Sequence, residues 1–195
     1  MVAEADTAPV RILVVCTANR CRSPLTGALL RAAIEARDPA VELATAGLRG
    51  TGRRVTDEAA TLGARRGLDL GRHRSRPVTA GLVTGADLLI GMERAHVREV
   101  VAIDPLAWPR SFTLKELVRR GEAVGPRRRE EPIADWLDRV GEGRVGRDLL
   151  GSSPDDDVPD PTGGPIAEHE DLVAELDEQL GRLVALAWPP GPLPA

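Results

Sequence analysis

The sequence predicts an α/β fold of three layers, with helices on both faces of a four-stranded parallel sheet. Two observations favour this class. Short apolar runs alternate with segments of helical periodicity along the chain, which is typical of parallel sheets that are covered on both faces. The first run, residues 12–15, is followed by a short loop and by Pro24, a residue favoured at the first position of a helix. Such a loop after strand 1 brings backbone N–H groups together in a cradle that binds phosphate-like anions.

The predicted domain occupies residues 10–188. Residues 1–9 are predicted to be a disordered tail. Helix 1 spans residues 24 to about 37, because apolar side chains recur there every three or four positions. Strand 2 is predicted at residues 41–46 and helix 2 at about residues 55–66. A glycine-rich loop with several arginines joins these two elements.

The second half of the domain repeats the alternation. Residues 88–90 are predicted to be a buried strand, which a helix follows. Residues 110–113 are predicted to form a short fourth strand, and another helix follows it. The apolar stripe of residues 165–187 predicts a long terminal helix, which the prolines after it end. Residues 189–195 form a Pro-rich tail.

Residues 120–154 interrupt the regular pattern with six glycines and a run of charged residues. We expect a solvated surface insertion within the domain. It contains one short helix at about residues 133–140, which Trp136 anchors. A docking element for a partner is the alternative.

Composition restricts the class of protein. The chain has 195 residues, 42% of them hydrophobic, and no aliphatic run long enough to span a bilayer, so we expect one globular domain and no membrane partner. The short acidic start lacks the pattern of a secretory signal, and two cysteines indicate a reducing cytoplasm. A net charge of −4 gives no reason to expect nucleic acid as a partner. We also expect no cofactor and no metal, because zinc would need a second cysteine pair.

The chemistry of the chain centres on Cys16 and Arg22, at the two ends of the loop after strand 1. A helix start and a guanidinium both favour the thiolate form of a cysteine. A guanidinium also binds two oxygens of a tetrahedral oxyanion at once. The spacing therefore predicts a thiolate that attacks phosphorus. The alternative is a buried structural cysteine followed by an ordinary helix cap from Ser23 or Asn19.

The same loop resembles a family signature. Its sequence is Cys16-Thr17-Ala18-Asn19-Arg20-Cys21-Arg22-Ser23, which is similar to the motif Cys-x-Gly-Asn-x-Cys-Arg-Ser of the low-molecular-weight protein tyrosine phosphatases and departs from it only at Ala18. The resemblance implies that Cys16 is the nucleophile, that Arg22 binds the phosphate and the transition state, and that Ser23 donates a hydrogen bond to the sulfur. It also implies that the loop from Thr17 to Arg22 surrounds the phosphate and that Asn19 holds its shape. A positive φ at Ala18 would cost about 1 kcal/mol.

Phosphoryl transfer to sulfur also needs a proton for the leaving oxygen, and the loop has no group to donate one. Four aspartates precede the terminal helix: Asp155, Asp156, Asp157 and Asp160. We choose Asp160, because prolines on both sides restrict its backbone, whereas the triple run is expected to be free, solvated charge. The resemblance agrees, since the family's general acid lies in an Asp-Pro-aromatic motif before the last helix and Asp160-Pro161 matches its start. An ordinary aspartate is almost fully ionised at pH 7, so we expect an acidic pH optimum.

Two further positions match the residues that support the loop in this family. Thr45 and His73 are expected to form hydrogen bonds to Asn19 and to take no part in the chemistry. Without the resemblance, His73 is an ordinary surface or hydrogen-bonded histidine. His96 and His169 are expected to be exposed helix residues.

The aromatic residues that grip a phosphotyrosine ring in this family are missing. Thr162, Gly163 and Thr51 stand where relatives carry them, and each lost ring contact removes about 0.5 to 1.5 kcal/mol. The prediction is therefore phosphomonoester hydrolysis through a phosphocysteine, on a phosphorylated protein or a small phosphomonoester, without a commitment to tyrosine.

Two other functions stay open at this point. The same kind of loop binds arsenate, so an arsenate reductase is the runner-up, and it would need an external small thiol because no cysteine follows Cys21. A weakly active phosphate-binding module is the third possibility.

Arg49, Arg53 and Arg54 near the loop favour an acidic or more highly phosphorylated substrate, or they are ordinary solvated charges.

Overall fold

The computed structural model describes residues 9–35, 37–38 and 40–190, and it contains a four-stranded parallel sheet. The strands are β1 Arg11–Cys16, β2 Glu42–Gly47, β3 Leu88–Gly91 and β4 Ser111–Thr113. They are ordered β2-β1-β3-β4, and every neighbouring pair is parallel. The fold class predicted from the sequence is confirmed.

Seven α-helices cover the sheet in the described part of the chain. They are α1 Arg22–Glu35, α2 Asp57–Ala64, α3 Ala80–Thr84, α4 Arg94–Ile103, α5 Leu114–Val124, α6 Ile133–Gly141 and α7 Ile166–Ala187. Two 3-10 helices, Pro105–Arg110 and Gly146–Leu149, complete the regular structure. None of the described helices combines the length and the apolar character that crossing a membrane requires.

The two faces of β1 belong to two separate cores, as the period of a strand dictates. Ile12 and Val14 pack with residues of α1, α5 and α7. Leu13 and Val15 pack on the other face, with residues of α3 and α4. The three layers are therefore two helical layers with the sheet between them.

The central position of β1 places the loop that follows it at the carboxyl end of the sheet, where open α/β folds bind ligands. Cys16 is in register with Gly47 of β2, and Val15 with Gly91 of β3. Gly47 is required for this close packing, because a Cβ atom there would lie 2.7 Å from the Asn19 nitrogen. The end of β2 therefore touches the loop directly.

The segment expected to be a solvated insertion instead packs into the core through α6. One face of this helix buries Ile133, Trp136, Leu137 and Val140. Trp136 is completely buried, and its Nε1 donates to the Gly125 carbonyl at 3.1 Å. The predicted tails at residues 1–9 and 189–195 lie almost entirely outside the described residues.

Candidate active site

The loop after β1 surrounds the sulfur of Cys16 with polar groups. Cys16 is the last residue of β1 and is 3% exposed. Its Sγ lies 3.0 Å from the Ser23 hydroxyl, and it accepts a hydrogen bond from the backbone N–H of Asn19 at 3.2 Å. Donors of this kind stabilise a sulfur anion. The surroundings of Cys16 therefore suit a nucleophile better than a structural cysteine.

Asn19 fixes the shape of the loop. Its φ of 54° is the only positive φ of a non-glycine residue among those described, and asparagine tolerates this conformation. The side-chain amide donates to Ser23 Oγ and Thr45 Oγ1, both at 2.9 Å, and its Oδ1 accepts from Arg76 N at 3.1 Å. His73 Nε2 lies 2.8 Å from the Asn19 carbonyl oxygen. Thr45 and His73 thus both contact Asn19, and a supporting role for them stays a prediction.

The other loop residues add no second nucleophile. The φ of Ala18 is not positive, so its methyl group causes no left-handed strain. Arg20 is partly exposed, and its Nε donates to the Arg54 carbonyl at 2.8 Å. Burial, followed by the nearby Asp160 charge, raises the pKa of the Cys21 thiol to about 12. Cys21 is therefore a neutral thiol at physiological pH.

Arg22 connects the loop to two acidic residues from distant parts of the chain. Its side chain is 2% exposed. Nη1 forms an ion pair with Glu93 and donates to the Val158 carbonyl at 3.1 Å. Nη2 lies 2.5 Å from Asp160 Oδ2 and 3.4 Å from Thr17 Oγ1. The structure thus brings the predicted acid, Asp160, to the predicted phosphate-binding guanidinium.

Asp160 lies at the rim of the site, with 38% of its side chain exposed. Its Oδ1 accepts from the Thr162 N–H at 3.1 Å. Burial alone would raise the pKa of Asp160, but the Arg22 charge and the hydrogen bonds from Thr162 outweigh it, so the pKa lies below its ordinary value. In this arrangement Asp160 is an ionised carboxylate at neutral pH.

The segment before Asp160 is anchored to the start of α4. Val158 N donates to the Met92 carbonyl at 2.7 Å. The Asp157 carboxylate accepts from the Arg94 N–H, also at 2.7 Å, and a carboxylate at a helix N-terminus is stabilising. These contacts fix the backbone that carries Asp160.

The expectation that the aspartate run is free, solvated charge is wrong for two of its three residues. Asp157 is bound to α4, and Asp156 is buried between the guanidinium groups of Arg94 and Arg119, at 2.7 and 2.8 Å. Burial by itself would raise the pKa of Asp156, but hydrogen bonds from the two arginines lower it. Asp155 is exposed.

Two residues of this site were not predicted to belong to it: Glu93, which pairs with Arg22, and His96. His96 Nε2 lies 3.0 Å from the Thr17 hydroxyl. The expectation that His96 and His169 are exposed is wrong, since their exposed fractions are 1% and 2%. Glu93 and His96 follow the carboxyl end of β3, next to β1 in the sheet, and this position is the signal that could have identified them.

The environment of His96 keeps its imidazole neutral. Burial, and then the charge of Arg22, lowers the pKa of His96 to about 4. Its Nδ1 is buried and has no hydrogen-bond partner among the described residues. The contact with Thr17 is therefore a hydrogen bond between neutral groups.

No aromatic side chain belongs to the segments that frame the site, residues 16–22, 47–56, 71–77 and 153–164. The four aromatic residues of the chain are Trp108, Phe112, Trp136 and Trp188. Thr162 and Gly163 are exposed beside Asp160, and Thr51 is exposed in the loop after β2. Across the described residues, no group of three His, Cys, Asp or Glu side chains could hold a metal ion.

The sequence matches known phosphatases. The profile of the family described as low molecular weight phosphotyrosine protein phosphatase matches residues 11–123. Low molecular weight protein-tyrosine-phosphatase Etp of Escherichia coli K12 is 34% identical over 121 residues, which are 62% of this chain and 79% of that protein. A protein-arginine-phosphatase of Geobacillus stearothermophilus is 28% identical over 176 residues, which are 90% of this chain and 94% of that protein.

Solved structures share the fold. The YwlE arginine phosphatase from Geobacillus stearothermophilus superposes with a TM-score of 0.65 at 28% identity and covers 90% of both chains. A low molecular weight protein tyrosine phosphatase from T. tengcongensis superposes with a TM-score of 0.66 at 27% identity, over 90% of this chain and 97% of that one. These likenesses therefore extend beyond residues 11–123.

Proposed function

The chain belongs to the family of low molecular weight protein-tyrosine phosphatases, which are cysteine-dependent phosphatases, and we propose that it hydrolyses phosphorylated proteins or small phosphomonoesters through a phosphocysteine on Cys16. The observation that carries this proposal is the meeting of three groups at one loop. Cys16 and Arg22 lie at its two ends, and Asp160 lies 2.5 Å from Arg22. A nucleophile that must stay reduced fits the cytoplasm expected from the sequence.

The reaction takes two steps. The Cys16 thiolate attacks phosphorus, the bond from phosphorus to the leaving oxygen breaks, and the acid form of Asp160 gives that oxygen its proton. Arg22 and the backbone N–H groups of the loop bind the oxygens of the phosphoryl group. Water then attacks the phosphocysteine, Asp160 takes the proton from water, and the bond from sulfur to phosphorus breaks. The products are inorganic phosphate and the free thiolate.

Asp160 has to carry a proton for the first step, although its pKa beside Arg22 lies below the ordinary value. A phosphoryl dianion that binds Arg22 competes with Asp160 for the guanidinium N–H groups. It also adds negative charge next to the Asp160 carboxylate. Both changes raise the pKa of Asp160. Substrate binding therefore converts Asp160 from a carboxylate partner of Arg22 into a proton donor.

Trapping the covalent intermediate tests the proposal. Wild type is quenched in acid during turnover of p-nitrophenyl phosphate and digested with trypsin, which cleaves after Arg20 and so separates Cys16 from Cys21. We expect the phosphoryl group on the Cys16 peptide, also in a Cys21→Ser variant. We expect Cys16→Ser to lose roughly 10³-fold or more of the activity.

Two results would contradict the proposal. One is a phosphoryl group on the Cys21 peptide. The other is arsenate reduction with an external small thiol in the absence of phosphatase activity, which would favour the alternative reductase.

Phosphoarginine is a second candidate substrate. The relative that covers 90% of this chain is a protein-arginine-phosphatase, and no aromatic residue frames the site to hold a tyrosine ring. The same attack by Cys16 would break the bond from phosphorus to nitrogen, with Asp160 protonating the nitrogen. Two peptides that differ only in carrying phosphotyrosine or phosphoarginine at the same position test this. The peptide with the higher kcat/KM identifies the preferred substrate.

A further inference from the structure

One flank of the loop after β1, residues 17–22, carries concentrated positive charge, and we call this loop the phosphate loop after its proposed role. The flank consists of two segments, residues 47–56 and 71–77, which we call the arginine wall. These segments contain six arginines and no aspartate or glutamate, although the whole chain has a net charge of −4. The arginines are Arg49, Arg53, Arg54, Arg72, Arg74 and Arg76, and all six are exposed.

The arginines of the arginine wall form no ion pairs with described carboxylates, although Asp57, Glu58 and Asp69 flank the two segments in the sequence. Among the described residues, no Asp or Glu oxygen lies within 4.0 Å of these six guanidinium groups, whereas Arg94, Arg144 and Arg182 elsewhere are paired. Arg74 and Arg76 donate to backbone carbonyls, and such bonds orient a guanidinium without removing its charge. The wall thus offers donors and positive charge to an anion from solvent.

Hydrogen bonds tie both segments of the arginine wall to the phosphate loop. They run from Leu48 N to Cys16 O, from Arg49 N to Thr17 O, from Thr56 N to Arg20 O and from Arg76 N to Asn19 Oδ1, at 2.8 to 3.1 Å. The segments are also packed on each other, since a Cβ atom at Gly50 would lie 2.1 Å from the Arg76 carbonyl oxygen. The backbone of the arginine wall is therefore held at a fixed place beside the loop that is proposed to bind the phosphoryl group.

We propose that the arginine wall is a second anion-binding subsite, which takes an acidic side chain or an additional phosphoryl group next to the scissile phosphate of a protein substrate. This inference rests on the proposed phosphatase function, because the phosphate loop places the substrate. Exposed charges at the rim of a site act mainly on association and specificity, and salt screens them. Nucleic acid is a poorer fit, since the chain is acidic overall and the arginine wall has no Phe, Tyr or Trp on which bases could stack.

The test measures binding separately from turnover. The Cys16→Ser variant is titrated with fluorescently labelled phosphopeptides, in one phosphotyrosine series and one phosphoarginine series, with glutamate, alanine or lysine as neighbours. We expect the glutamate peptide to bind about 10-fold more tightly than the alanine peptide at low salt, and about 2-fold at high salt. Phosphoserine in place of glutamate shows whether a second phosphoryl group binds more tightly than a carboxylate.

Charge reversal supplies the specific control. Arg53→Glu with Arg54→Glu, added to the Cys16→Ser parent, should make the lysine peptide bind more tightly than the glutamate peptide. The matched control is Arg128→Glu with Arg129→Glu. These exposed arginines follow Arg127, whose Nε binds the carbonyl of Ala187 at the end of α7, about 33 Å from the end of that helix near Asp160. The control should keep the preference of the parent.

The outcomes separate the two proposals. Equal binding of the three peptides to the parent, or an unchanged preference after charge reversal, would overturn the subsite. A single-stranded oligonucleotide that binds more tightly than the glutamate peptide would assign the arginine wall to nucleic acid and overturn it as well. Turnover of p-nitrophenyl phosphate by wild type is measured in parallel. Its absence would refute the phosphatase function, while the binding ratios would still decide the subsite.

Discussion

Replacing Asp160 with asparagine tests the proposed proton donor while keeping the size of the side chain. The carboxylate is bound to Arg22 and accepts from the Thr162 N–H, and the amide oxygen of asparagine preserves the second contact. A positioned general acid contributes about 10²- to 10⁴-fold to the rate, or about 3 to 5 kcal/mol of the barrier. We expect kcat/KM to fall by a factor within that range.

The size of the loss should depend on the leaving group. Phenolate leaves poorly without a proton, so phenyl phosphate should lose activity near the upper end of the range. p-Nitrophenolate is more stable and needs less help, so p-nitrophenyl phosphate should lose less. The assay measures kcat/KM for both esters from about pH 4 to 8, because kcat/KM reports formation of the phosphocysteine and excludes its hydrolysis, which is common to both esters. Wild type should lose activity as pH rises, because the acid form of Asp160 is depleted, and Asp160→Asn should not show this limb.

The exposed neighbour Asp155 supplies the control. Asp155→Asn removes the same charge from the same segment and should keep the wild-type pH profile. If Asp160→Asn reduces kcat/KM for both esters equally and keeps the decline at high pH, another group protonates the leaving oxygen. Glu93, the second carboxylate on Arg22, would be the next candidate.

Three further predictions concern the residues around the site and the core. His96→Ala removes the hydrogen bond to Thr17 and should raise KM roughly 10-fold. His96→Gln should restore part of the wild-type KM. The increase in KM should not vary with pH above pH 5, because the pKa of His96 is about 4. Asp156→Asn should lower the free energy of unfolding at pH 7 by about 2 kcal/mol, and the difference from wild type should vanish as acid protonates Asp156, whose native pKa is lowered. Trp136→Ala should cost about 3 to 5 kcal/mol in urea denaturation, because the ring is completely buried.

The strand, loop and helix around Cys16 were predictable because their signals are local. The apolar run from Ile12 to Val15, the cysteine after it and Pro24 at the helix start specify a strand, a loop and a helix within a short stretch of chain. Asn19 adds a residue that accepts a left-handed backbone, and the loop uses it. Each of these features can be evaluated without knowing where the rest of the chain lies.

Two partners of the loop from a distant part of the chain, Glu93 and His96, were not predictable in the same way. Glu93 reaches Arg22, and His96 reaches Thr17, because β3 lies next to β1 in the sheet. A local pattern carries no information on strand order, so His96 appeared to be an exposed helix residue and nothing marked Glu93 as part of the site.

The segment around α6 illustrates a different failure, because the helix was predicted at about residues 133–140 and is present, whereas its packing into the core was not predicted. Its apolar positions, Ile133, Trp136, Leu137 and Val140, have the spacing of one helix face. The charged residues and glycines around them suggested a solvated segment. The stripe was the better guide, because burying an aromatic ring and three aliphatic side chains outweighs the solvation of their neighbours.

The backbone bonds between the arginine wall and the phosphate loop have a consequence for evolution. They start from peptide N–H groups, which every residue except proline supplies. The exposed side chains of the wall can therefore be exchanged without moving the sulfur or the cradle of amides. The same site can in this way acquire new substrates through substitutions of exposed residues alone. A protein engineer could change its substrate specificity with the same kind of substitution.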